Sequence, residues 1–128
     1  MSYYLAKMLS VSFDEAVTLV TESLKTEGFG ILTEIDVSAT LKKKIGVDYP
    51  AYRILGACNP ALAHEALQLE NKVGTMLPCN VVVRDAGNGQ IEVAAVDPVA
   101  SMQAIDNPAL KQAALQVRAK LEKVIAGL

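Results

Sequence analysis

Hydrophobic positions along the chain switch between two periods, and the switches mark its elements. In residues 1–9, Tyr3, Leu5 and Leu9 alternate with Tyr4, Ala6 and Met8, with Lys7 interrupting one face, which predicts a strand. Ser12-Phe13-Asp14-Glu15 has the form of a capping box, and Phe13, Ala16, Val17, Val20 and Leu24 follow at helical spacing. Gly28 is placed to end that helix in a left-handed conformation. Residues 30–37 return to alternation, with Ile31, Thr33, Ile35 and Val37 on one face and Leu32, Glu34 and Asp36 on the other. Ser38 is expected to cap a short helix carrying Leu41 and Ile45, stopped by Gly46.

Residues 52–58 predict a third strand, and Asn59-Pro60 a helix start with Asn as the cap and Pro at the first position. Leu62, Ala66, Leu69 and Val73 make its stripe, with Gly74 as its end. Residues 80–84 and 90–97 read as strands joined by Asp85-Ala86-Gly87-Asn88-Gly89, a hairpin loop of residues that tolerate positive φ. Val81-Val82-Val83 is apolar on both faces, as are residues 93–96, which places these strands centrally or under cover on both sides. Pro98 breaks the last strand, and Asn107-Pro108 opens a long helix carrying Leu110, Ala114, Val117, Leu121 and Val124.

The order is therefore β-α-β-(short α)-β-α-β-β-α. It predicts one α+β domain over residues 1–128, a two-layer sandwich of about five strands with three main helices on one sheet face. The apolar strand surface exceeds what those helices can cover, so a homodimer is expected to bury the remainder.

With 128 residues and 52% apolar types, a real core is available. Twelve basic and 14 acidic residues leave a net charge of −2, which argues against a nucleic-acid partner. No apolar run is long enough to span a bilayer, and the N-terminal stretch lacks a signal-peptide pattern, so a cytoplasmic protein without a membrane partner is expected. Two cysteines, Cys58 and Cys79, are too few for a disulfide scaffold, and the single histidine, His64, cannot form a His-rich metal cage.

Three stretches carry a family resemblance. Ala39-Thr40-Leu41-Lys42-Lys43-Lys44-Ile45-Gly46-Val47-Asp48, Tyr52-Arg53-Ile54-Leu55-Gly56-Ala57-Cys58-Asn59-Pro60 and Leu77-Pro78-Cys79-Asn80-Val81-Val82-Val83 resemble domain of unknown function 302. The resemblance covers nearly the whole chain, since the capping-box helix and the final helix also fit. It implies a small α+β domain of prokaryotic proteins, usually a homodimer. It implies no reaction and supplies no catalytic residue.

Candidate chemistry rests on the residues alone. If the Cys58 and Cys79 strands run parallel around their intervening helix, the two thiols lie at opposite sheet ends and stay reduced and apart. Cys58 immediately precedes the Asn59 helix start, where unpaired amides favour a thiolate, and His64 lies one turn further on. Glu34 and Asp36 share a strand face and could act as an acid/base pair, or else form a solvated face beside Lys42 or Lys44. Lys42-Lys43-Lys44 reads as a solvated helix end, with an anion site shared with the Asn59 helix start as the alternative. No metal-ligand spacing or phosphate-cradling loop is present, so neither metal nor cofactor is expected.

The leading expectation is a non-catalytic domain that binds a small-molecule or anionic ligand, or an interaction partner, as a homodimer. Its candidate ligand-binding residues are Glu34, Asp36, Cys58, Asn59 and His64. The alternative is a thiol- or carboxylate-dependent enzyme centred on Cys58, with Glu34, Asp36 or His64 nearby. A purely structural assembly module is the third class. If a site exists, Glu34, Asp36, Cys58 and the Asn59 helix start are expected to converge at one sheet edge, provided that the helix over residues 38–45 acts as a crossover.

Overall fold

The computed structural model describes residues 2–128, so Met1 of the first expected strand lies outside the described residues. The elements are β1 (Tyr4–Leu9), α1 (Phe13–Thr26), β2 (Gly30–Asp36), α2 (Val37–Ile45), β3 (Tyr52–Cys58) and α3 (Pro60–Leu69), followed by β4 (Cys79–Gly87), β5 (Gln90–Val96), α4 (Pro98–Ser101) and α5 (Pro108–Ala126). A single 3-10 turn, Val73–Met76, lies between α3 and β4.

The helix starts follow from local chemistry. Ser12 Oγ accepts from the Glu15 amide at 3.1 Å, and Gly28 takes φ +83° just beyond the end of α1. Asn107 Oδ1 accepts from the Leu110 amide at 3.1 Å to start α5. Asp97 Oδ1 accepts from the Val99 amide at 2.9 Å, so the Asp97-Pro98 pair both ends β5 and opens α4.

Several boundaries differ from the sequence reading: β4 runs on to Gly87, through three residues expected in the hairpin loop, Pro98–Ser101 adds a short helix, and two helix ends move. The cap of α2 is Asp36, not Ser38: Asp36 Oδ1 accepts from the Ala39 amide at 2.9 Å, whereas the Ser38 hydroxyl donates to the Pro50 carbonyl at 2.6 Å. Asp36 wins because it still has the extended backbone (ψ 96°) that a cap requires. Helix α3 stops at Leu69 because Glu70 turns extended, and Val73 reaches the core from the 3-10 turn instead.

All five strands form one antiparallel sheet in the order β1-β5-β4-β3-β2. Helix α1 carries the chain across the sheet from one edge strand to the other. The β4–β5 hairpin closes through Asn88 and Gly89, both at positive φ, as the loop composition predicts. Helices α1 and α5 pack on one face. Ala16, Val20 and Leu24 from α1 and Leu121, Val124 and Ile125 from α5 meet Leu55, Val81, Val83, Val93 and Ala95 from the sheet. A second apolar cluster of Ala66, Val73, Met102, Leu110 and Ala114 joins α3 to α5 beyond the strand ends.

The expected parallel arrangement of β3 and β4 is not found: they are antiparallel neighbours, with Ala57 opposite Cys79. Helix α3 packs on α5 rather than crossing the sheet, so it returns the chain to the sheet end it left. Helix α2 likewise joins β2 to β3 as a wide hairpin connection, with Asp36 opposite Arg53.

Candidate functional site

Antiparallel β3 and β4 redistribute the candidate residues. Cys58 ends β3 opposite Gly30, and Cys79 opens β4 opposite Ala57, so both thiols lie at the same sheet end. The opposite-end expectation fails because α3 is not a crossover. Both cysteines are free, Cys58 half-buried and Cys79 buried. Burial, and secondarily a charge on Cys58, push the Cys79 thiol up to about 11, so it stays protonated at neutral pH.

A cavity of about 340 Å³ opens beside this pair. Ala57, Cys58 and Cys79 line it from the sheet; Leu62, Ala63, Ala66 and Leu67 from α3; and Leu110, Ala113, Ala114 and Val117 from α5. Phe29, Leu32, Leu77, Pro78, Pro98 and Met102 complete the lining, together with Asn59. Small side chains on the facing sides of α3 and α5 leave the room: a Leu at each alanine position would close it. The Asn59 side chain is already engaged, since Oδ1 accepts from the Leu62 amide at 3.3 Å and Nδ2 donates to the Glu27 carbonyl at 3.3 Å.

The other candidates lie elsewhere. His64 is exposed on α3, with Nε2 3.4 Å from the Gln68 side-chain amide, and does not line the cavity. Glu34 pairs across the ladder with Leu55 and Asp36 with Arg53. They stand three and five residues from the Cys58 position, roughly 10 and 17 Å along the strand. Arg53 holds both carboxylates, with Nη1 3.0 Å from Glu34 Oε1 and Nη2 3.8 Å from Asp36 Oδ2. Its guanidinium also lies 5.3 Å from the centre of the Phe13 ring. The expected convergence of Glu34 and Asp36 with Cys58 is therefore absent. Lys42, Lys43 and Lys44 belong to α2 at the Asp36 end, a strand length from Asn59, so they cannot share an anion site with its helix start.

The sheet face away from α1 and α5 holds a second, shallower concavity of about 420 Å³, lined by Tyr3, Tyr4, Tyr52, Val82, Ala94 and Val96 among others. Within it Arg84 Nε donates to Glu92 Oε1 at 2.7 Å, a bond that raises the Arg84 pKa further above its ordinary value.

Sequence reasoning missed Phe29, Met102 and the α5 wall as site residues. The available signal was the Ala113-Ala114 pair, on the buried side of α5 where larger side chains are usual. Among the described residues, no group of three or more His, Cys, Asp or Glu could hold a metal ion, and no helix is long and apolar enough to cross a membrane.

A family model described as "Domain of unknown function DUF302" matches residues 5–128. The chain is also similar to a structure titled "Crystal structure of uncharacterized conserved protein DUF302 from Bacillus stearothermophilus". The two are 30% identical with a TM-score of 0.92, over 99% of this chain and 98% of that one. Among curated proteins, none matches.

Proposed function

The chain belongs to the DUF302 family, and from that premise we propose a non-catalytic domain that binds a small molecule in the cavity beside Cys58 and Cys79 and acts as a homodimer. The observation that carries this reading is the preformed cavity, whose volume of about 340 Å³ falls within the range of small-molecule sites. Of the candidate residues, Cys58 and Asn59 lie at it.

The enzyme alternative is less well supported. A cysteine nucleophile needs a base within hydrogen-bond reach. His64 faces solvent, Glu34 and Asp36 are held by Arg53, and the neighbouring Cys79 is itself protonated. The homodimer rests on the open sheet face. There Tyr4, Ala6 and Met8 of β1 continue the row of Val82, Ala94 and Val96, all of them exposed or half-buried.

A thermal-shift screen of small molecules against the wild type and Ala63→Trp tests the binding role. Ala63 lines the cavity and is half-buried, so the indole would occupy the space a ligand needs. Compounds that raise the melting temperature of the wild type alone support the reading. A chemically broad panel without one such compound overturns it.

A further inference from the structure

We propose that the ligand of this cavity is a neutral aromatic molecule of about two rings, an inference that rests on the binding role just given and names its chemistry. Size comes first. A dry apolar cavity of about 150 Å³ accepts one benzene, and this one, at about 340 Å³, is a little over twice that.

Charge follows from the walls. Among the described residues, no Asp, Glu, Lys, Arg or His lines the cavity. Asn59, its one amide side chain, spends both polar ends on backbone groups. The positive end of α3 offers the cavity little: Pro60 has no N–H, the Leu62 amide binds Asn59 Oδ1, the Ala63 amide binds the Asn59 carbonyl at 2.9 Å, and Ala61 is exposed and does not line the cavity. An ionised group entering here would lose its hydration without gaining a partner. The same surroundings keep Cys79 protonated.

Aromatic character follows from the sulfurs. Cys58, Cys79 and Met102 all line the cavity, facing it together with Phe29. Sulfur at a ring edge and offset ring pairing both favour an aromatic guest over an aliphatic one of equal volume.

Calorimetric titration at neutral pH with 2-acetylnaphthalene, 2-naphthoate and decan-2-one tests this. The first two have the same number of non-hydrogen atoms and differ in charge; the third is neutral and aliphatic. We expect 2-acetylnaphthalene to bind at least about tenfold more tightly than either, the carboxylate paying for unpaired burial. Binding should be lost in Ala63→Trp. In the wild-type chain, bound 2-acetylnaphthalene should slow alkylation of Cys58, a readout that does not depend on any variant folding. Equal or tighter binding of 2-naphthoate or decan-2-one, with Cys58 protected, would overturn the aromatic, neutral class and leave the binding role standing. Failure of all three to bind would overturn the inference. If the wider screen also yields nothing, the binding role falls with it.

Discussion

At the scale of single residues, the cysteine pair shows what can be read from sequence and what cannot. That two cysteines make no disulfide scaffold was legible from their number. Their adjacency was not, because it depends on the direction of two strands. Adjacency and burial have a measurable consequence. The Cys79 thiol is raised from an ordinary 9.0 to about 11, so the folded state holds its proton more tightly than the unfolded chain does. Its contribution to stability is complete below about pH 9 and is lost as pH rises to about 11. Two units correspond to a loss on the order of 2–3 kcal/mol. Urea titrations across this range should show that alkaline decline in the wild type and a flatter profile in Cys79→Ala; parallel profiles would mean that Cys79 does not couple to folding. Gly56 makes a second residue-scale case. A Cβ there would collide with Thr33 Oγ1 and lie 2.7 Å from Pro78 Cγ. Gly56→Ala should therefore cost about 1–3 kcal/mol by overpacking, read from the shift in urea midpoint.

At the scale of elements, starts and stops were legible because their chemistry is local. Ser12, Asn59 and Asn107 each cap a helix within three residues of themselves, and no distant contact is needed to place them. The α2 cap was misread by two residues because Asp36 and Ser38 are both good caps and only the backbone path chooses between them. This choice can be tested. Asp36→Ala should lower stability by about 1 kcal/mol. Asp36→Asn keeps an acceptor for the Ala39 amide and loses only a half-exposed ion pair to Arg53 at 3.8 Å, so it should stay within about 0.5 kcal/mol of the wild type. Equal losses in the two variants would assign the effect to the ion pair instead. Strand direction was the illegible part. Asn59-Pro60 announces α3, but whether α3 lies across the sheet or folds back on α5 is decided by packing among Ala66, Leu110 and Ala114, residues more than 40 positions apart in the extreme case. That choice brings Cys79 to Cys58, while the hairpin-like α2 connection between β2 and β3 separates Glu34 and Asp36 from it.

At the scale of the whole molecule, the sheet has two unlike faces, and each suggests a different task. The face under α1 and α5 buries Val81, Val83, Val93 and Ala95 completely, and the cavity opens at its end. The opposite face carries Tyr4, Met8, Val82, Ala94 and Val96 around the Arg84–Glu92 pair, with Tyr4 and Met8 more than 40% exposed. The apolar doubling of β4 and β5 was legible in the sequence; the reason is that their alternate residues serve these two faces in turn. A two-fold partner would place the same patch against itself, and a stable dimer needs only about 800 Å² from each copy. Sedimentation at micromolar concentration should therefore find a dimer. Val82→Asp puts a charge in the middle of the open face, on a side chain that points away from the helices and is half-buried in the single chain. We expect that variant to sediment as a monomer with an unchanged circular dichroism spectrum, because the core under α1 and α5 is untouched. It should also keep its affinity for 2-acetylnaphthalene, since Val82 does not line the cavity. A wild type that is monomeric throughout would remove the dimer. A Val82→Asp monomer that no longer binds would show instead that the partner copy completes the cavity, making the two faces of the sheet parts of one site.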